Sequence, residues 1–396
     1  MSSFHGFIDN LTDATIAALA ILVLIGFLAH LPAKFLEKFS EGRLGQSRYA
    51  SLDGLRGFLA LWVVLTHLWS YYDRYYRGIM WDWPSNPYFN QCGNIAVPLF
   101  LMITGFLFWG KAIRAKGRIN PIALYLNRAR RVLPLYYFLC VVVVVISLWI
   151  SKEPWVMQQK TLGQEIVSLI IPGRQFMGPI AGVERFFLIT PTWTLYFEVI
   201  FYLLLPILAL SAFSFLSSGV FLIISLFGLL IPWSQMHPYF YMGFWVGALV
   251  AEIVERGKLN LTIFKDTYSN YFILGSIILV PLLTGGELNT FSFSVASVVF
   301  FFVICGNTCF ELLLNPGARI LGAVSYSIYI IHMPLLYVSL MAYNYYFPLA
   351  KLSTLEYAPF CIGFVFLVVL ISMATFRLIE KPCMVMGVAK TTQAKS

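Results

Sequence analysis

Charge is scarce in this chain. Only 11% of its 396 residues are Asp, Glu, Lys or Arg, whereas 59% are hydrophobic, and the mean hydropathy is +0.79. A water-soluble domain of that composition would expose apolar surface over most of its exterior, so the solvent for most of this chain is lipid. Acidic residues are the rarer sign, 18 against 27 Lys and Arg, which leaves a net charge of +9. The basic residues sit in short gaps between apolar runs and not on a soluble module, so no nucleic-acid partner is expected. Cysteine is sparse as well. Cys92, Cys140, Cys305, Cys309, Cys361 and Cys383 form no CxxC pair and have no His at ligand spacing. They read as packing residues, with Cys305 and Cys309 a weak exception, and no metal is expected. No internal repeat is evident, so sequence symmetry does not point to an inverted-repeat transporter.

What the chain has in abundance is long apolar runs. Windows long enough to cross a hydrocarbon core of about 30 Å begin near Ala14, Leu52, Asn94, Val132, Trp193, Ser214, Pro238, Tyr271, Phe291, Leu321 and Ala358, about eleven helices. The first has Asp9 and Asp13 before it and Lys34, Lys38, Arg43 and Arg48 after it, the reverse of a cleaved signal peptide's charge order. The positive-inside rule therefore puts the N-terminus outside and the 34–51 linker in the cytoplasm. Alternation then places Lys111 to Arg131, the turn at 255–258, Arg319 and the C-terminal tail inside, which gathers roughly twenty Lys and Arg on one side. Two outward loops, 70–93 and 151–192, are longer than connectors need and suit lids or acceptor contacts.

An ionisable side chain within a span is expensive and so is a functional candidate by default. Arg56 and His67 lie eleven residues apart on one helix, which leaves them about 20° apart around the axis and about 16 Å apart along it. His332 stands at a similar expected depth on its own helix, with Ser325 seven residues earlier on the same face. Glu198 enters from outside about five residues past Trp193, and a buried carboxylate needs a partner. His67, His332 and Glu198 are therefore expected to meet as an imidazole–carboxylate cluster suited to general-base work, or else to form a structural network between helices. On the cytoplasmic side, Arg128 and Arg131 stand one turn apart at the expected entrance to a span, beside Arg130. They suit a bidentate phosphate clamp, although the same residues serve as ordinary positive-inside anchors. Asp53 either caps its helix or pairs with Arg56.

In chain order these segments resemble the membrane acyltransferase 3 family, which includes bacterial polysaccharide O-acetyltransferases. The carriers are the Arg56–His67 helix, PLFLMITGFL, the RxxRxxP run of Arg128, Arg131 and Pro134, WTLYFEVIFY with Trp193 and Glu198, LGAVSYSIYIIH with Ser325, Tyr326 and His332, and FRLIEKP with Glu380 and Pro382. The resemblance implies about ten core helices and the transfer of short acyl groups from cytoplasmic acyl-CoA onto sugars outside. It assigns Arg56 and His67 to the active centre and donor-nucleotide contacts to Arg128 and Arg131, and says less about Glu198, Ser325 and His332. Two features depart from the pattern: Thr104 stands where Ser is usual, and the N-terminal helix lies outside the common core.

These readings together define an all-α, polytopic membrane helix protein. Residues 1–48 form an extra N-terminal helix and basic linker, 49–384 the acyltransferase domain and 385–396 a cytoplasmic tail. The expected donor is acetyl-CoA or another acyl-CoA, and the acceptor an extracytoplasmic sugar or glycolipid. Membrane lipids surround the chain, and the N-terminal helix offers contacts for a homo-oligomer or a partner. The expected location is the inner or plasma membrane of a bacterium, with the C-terminus cytoplasmic. The rival class is a transporter or flippase that uses the same histidines and Glu198 to relay protons or bind a solute.

Overall fold

In the lipid interior a backbone amide has no water to bond, so each span must satisfy its own hydrogen bonds as a helix. The computed structural model describes residues 2–32, 39, 49–77, 83–151, 155–170, 172, 178–184, 186–214, 216, 219, 238–257, 264 and 267–385. Twelve helices of eight residues or more carry these residues. They are α1 (Ser2–Ala29), α2 (Ala50–Arg77), α3 (Pro87–Arg114), α4 (Pro121–Ile150), α5 (Trp155–Ser168) and α6 (Thr194–Ala209). The series continues with α7 (Pro238–Arg256), α8 (Thr267–Thr284), α9 (Thr290–Ile304), α10 (Pro316–Ala323), α11 (Ser325–Tyr346) and α12 (Thr354–Thr375), which runs on through the π-helical turn Phe376–Glu380. No β-strand occurs among the described residues beyond a single bridge between Ile180 and Val183.

Among the described residues, seven helical stretches are long and apolar enough to cross a membrane, including Phe187–Phe213 around α6 and Thr354–Val385 around α12. α2 is 28 residues long, enough to span despite its charges. Ten of the eleven expected spans fall on described helices. The one expected near Ser214 lies almost wholly outside the described residues, as do most of the 34–51 linker and the 386–396 tail.

Helix starts follow capping chemistry. The Asn86 side chain accepts from the Tyr88 backbone N–H at 3.0 Å with Pro87 in the first turn of α3. Asn289 and Ser292 cap α9 reciprocally, and Asn315 accepts from Gly317 at the start of α10.

Several expected boundaries move. α4 begins at Pro121, so Arg128 and Arg131 lie in its second and third turns and not at a span entrance, and Pro134 lies in its interior. The basic segment 111–131 is therefore helix on both sides of a six-residue turn, Ala115 to Asn120. Much of the loop expected over 70–93 is helix, because α2 runs to Arg77 and α3 starts at Pro87, and 151–192 contains α5 and a short helical turn before α6. In each case the helix continues past the point where hydropathy falls, because polar residues at a span end do not break backbone bonding.

The described chain divides into two compact units. The first comprises residues 1–120, 204–325 and 349–363, and the second residues 121–203, 326–348 and 364–396. In the first unit α3 and α7 pack so closely that a Cβ on Gly247 would collide with the Met102 carbonyl. α10 lies on α2 in the same way, with Gly322 against the Asp53 carbonyl. Small residues allow this approach of helix backbones. In the second unit the Tyr136 hydroxyl donates to the Leu169 carbonyl at 2.8 Å, and the Tyr326 hydroxyl donates to the Val132 carbonyl at 2.8 Å.

Candidate active site

The first unit holds Arg56 and His67. Both stand on unbroken α2 and both are half-buried. The His67 Nδ1 donates to the Val63 carbonyl at 2.8 Å. A carbonyl only accepts, so this bond selects the neutral tautomer in which Nε2 carries the lone pair. Next to it, the Thr66 hydroxyl donates to the Phe89 carbonyl at 2.7 Å and ties this turn of α2 to α3. Asp53 lies in the first turn of α2, which begins at Ala50, so it is not the helix cap.

The first unit also contains an ionic network that the sequence did not single out. Glu252, 2% exposed, accepts from the Trp109 indole at 2.8 Å and from Arg256 Nε at 2.7 Å, and Arg256 Nη2 donates to the Ala212 carbonyl at 2.6 Å. Glu255 pairs with Arg114 and accepts from the Tyr49 hydroxyl at 3.2 Å. The network joins the ends of α3 and α7.

The second unit holds Arg128, Arg131, Glu198 and His332. α4 and α6 run side by side, with the Tyr125 hydroxyl donating to the Leu203 carbonyl at 3.0 Å. One turn along, the Arg128 guanidinium lies 5.8 Å from the centre of the Tyr202 ring, a cation–π distance. The Tyr202 hydroxyl donates to Glu198 Oε2 at 2.9 Å. Arg128, Tyr202 and Glu198 thus form a continuous cation–aromatic–carboxylate set.

A second polar set adjoins Tyr326, whose hydroxyl lies within electrostatic range of Glu380, Glu198 and Arg131. Glu380, 1% exposed, accepts a short hydrogen bond from the Ser327 hydroxyl, which in turn accepts from Thr375 at 3.2 Å. Ser327, and not Ser325, is therefore the serine of α11 that meets a carboxylate. Ser325 is buried at the first position of the helix.

His332 is fully buried, with Nδ1 bonded to the Ile328 carbonyl at 3.0 Å. Its ring lies 6.4 Å from that of Tyr329. The Tyr329 hydroxyl donates to the Pro191 carbonyl at 3.0 Å and shares a 2.8 Å bond with Thr194. Tyr329 also lies within electrostatic range of Glu198. Glu198 and His332 belong to the second unit and His67 to the first.

Tyr202, Tyr329, Thr194, Ser327 and Trp109 all serve as partners that no spacing rule had marked, and Tyr326 was visible only as part of LGAVSYSIYIIH. Glu380 was visible only as part of FRLIEKP. Among the described residues no cluster of three or more His, Cys, Asp or Glu side chains is arranged to hold a metal ion.

Long apolar helices, two of which carry the buried His332 and Glu380 side chains, define a multi-pass membrane protein. The chain belongs to the family of the acyltransferase domain, whose model matches residues 49–376, and it is a membrane acyltransferase. Among curated relatives, it is 27% identical over 257 residues to the exopolysaccharide production protein ExoZ of Rhizobium meliloti (strain 1021), covering 61% of this chain and 75% of that one. It is 25% identical over 296 residues to the "Putative acetyltransferase ORF330" of Acidianus two-tailed virus, covering 70% of this chain and 81% of that one. No solved structure matches the chain.

Proposed function

We propose that the protein moves an acyl group, most simply acetyl, from cytoplasmic acyl-CoA to a hydroxyl of a glycan or glycolipid on the other side of the membrane. The observation that carries this reading is the pair Arg56 and His67 on one face of an unbroken α2, a cation near one end and a tautomer-selected imidazole about 16 Å further along. That spacing is comparable to an extended pantetheine arm, so the donor's phosphates stay by the cation while its thioester reaches the imidazole. The names of the two relatives, one for exopolysaccharide production and one for acetyl transfer, support the acceptor class and the group moved.

In the reaction the acceptor oxygen attacks the thioester carbonyl as His67 Nε2 takes its proton. The tetrahedral intermediate then expels the thiolate, the C–S bond breaks, and the imidazolium returns the proton to give the free thiol of CoA and the acyl ester. Arg128 and Arg131 act as phosphate contacts for the donor, with Tyr202 and Glu198 orienting Arg128 through ring and carboxylate. The N-terminus lies outside and the C-terminus in the cytoplasm.

The test uses purified protein in lipid vesicles with acetyl-CoA and the surface-glycan fraction of the source cell. Free thiol should appear in step with acetyl ester on the glycan. Movement of a solute or of protons with acetyl-CoA untouched would replace the enzyme reading with the transporter.

A further inference from the structure

A cavity of about 170 Å³ opens in the first unit between α1, α2, α3, α8 and α9. α1 supplies a wall of small side chains, Ala14, Ala17 and Ala18, at positions i, i+3 and i+4 of one helix face, so the space exists because those residues are alanine. α1 precedes the residues that match the family, and the wall is therefore an addition to the common core. Ala18 and Ile277 at the rim are exposed, so the cavity opens sideways between α1 and α8, where a membrane protein meets lipid.

The lining is apolar apart from a few groups, and most of those are already satisfied. Ser276 donates to the Phe272 carbonyl, Ser292 donates to the Glu287 carbonyl, and Gln91 accepts from Thr284. The Tyr88 hydroxyl is different. Tyr88 is 8% exposed, and its buried hydroxyl has no hydrogen-bond partner among the described residues. A buried hydroxyl left unpaired costs about 1–3 kcal/mol, and an apolar cavity does not hold water well enough to repay that.

We infer that this cavity binds one acyl chain of a membrane phospholipid, with the Tyr88 hydroxyl donating to the chain's ester carbonyl. The register fits a chain lying along the membrane normal. Tyr88 is in the first turn of a spanning helix, at the level where interfacial tyrosines and lipid esters lie. Leu99, the far end of the α3 wall, is eleven residues deeper, about 16 Å into the hydrocarbon. The polar end of the ligand meets the unpaired Tyr88 hydroxyl, and the methylene tail meets the alanine and aliphatic walls. The bound chain fills space between α1 and the core and so holds the added helix in place. The inference is independent of the acyl-transfer reading, since a chain could bind here whatever reaction the protein catalyses.

The test is photocrosslinking of the full-length protein in nanodiscs of phosphatidylglycerol carrying a mid-chain diazirine, with adducts mapped by mass spectrometry. Adducts should concentrate on the Ala14–Ile21 and Ile277 walls relative to other lipid-facing surfaces such as Val141 and Trp149 of α4. Ala17→Trp fills the cavity and should lower the α1 adducts about tenfold while those on α4 persist. If that variant does not fold, Ala18→Trp at the exposed rim gives the same comparison. Tyr88→Phe keeps the shape and should shorten retention of the lipid several-fold through detergent washing. Adducts spread evenly over lipid-facing helices and unmoved by the Trp variants would overturn the site. Retention unchanged in Tyr88→Phe would overturn the ester contact.

Discussion

His67, His332 and the exposed His30 all bond Nδ1 to the carbonyl four residues earlier, at 2.8, 3.0 and 2.7 Å. This bond is therefore a local habit of histidine on a helix, and it cannot by itself mark a catalytic residue. Access separates the three. His332 is sealed, whereas His67 is half-buried. His67→Gln keeps a side-chain amide able to bond the Val63 carbonyl but cannot take and return a proton. Its transfer rate should fall by about 10²–10⁴, the usual worth of general-base catalysis, with acetyl-CoA binding and the thermal transition near wild type. Thiol release from acetyl-CoA measures it, and wild-type rates in the Gln variant would move the base to another residue. Arg56 and His67 were legible from sequence because one helix carries both, and the helix period alone fixes their shared face. The Arg128–Tyr202–Glu198 set was not legible, because it depends on the register between α4 and α6. In a chain with 22 tyrosines, a Tyr within a span reads first as packing.

At the scale of elements, the hydropathy pattern located the spans well and their ends poorly. α4 shows why: its first three turns, with Asn127, Arg128, Arg130 and Arg131, are too polar for a hydropathy window, yet the backbone is helical from Pro121. The contact between α3 and α7 was only half visible. Gly105, Gly243 and Gly247 let the backbones approach, but the Glu252 carboxylate that joins Trp109 to Arg256 was concealed by reading the end of α7 as topology charge alone. Removing one partner of a buried ion pair strands the other. Glu252→Ala should therefore cost about 3 kcal/mol, at the lower end of the range because the Arg256 side chain is 22% exposed. The check is the thermal transition of the purified variant beside Glu255→Ala. Glu255 pairs with an Arg114 side chain that is 47% exposed, and its loss should shift the transition much less. Equal shifts would mean that the Glu252 network adds nothing beyond a surface pair.

At the scale of the whole molecule, the sidedness of the reaction rests on charge, and the first unit permits a sharper form of the positive-inside reading. One end of that unit collects Lys111, Arg114, Lys116, Arg118 and Arg256, with Gly117 against the Ala209 carbonyl and Arg256 bonded to the Ala212 carbonyl. The other end collects the starts of α1 and α3 and the turn between α8 and α9. There Asn86 bonds the Asn10 carbonyl, Asn90 bonds the Gly285 carbonyl, and the Asp73 carboxylate holds Ser85. Asp9, Asp73 and Glu287 offset Arg74 at that end, and the proposed orientation makes this end, poorer in Lys and Arg, the outer one. Single cysteines placed in a variant lacking the six native ones can test this with a membrane-impermeant maleimide on intact cells. Asn120 and Glu287 are both exposed and lie at opposite ends, whereas Gly117 is buried at φ 79° and would strain any replacement. Glu287→Cys should label in intact cells, and Asn120→Cys should label only after the membrane is permeabilised. The reverse pattern would put the basic end outside, and the proposed cytoplasmic acyl-CoA donor would then have to enter at the end that carries Asp73 and Glu287.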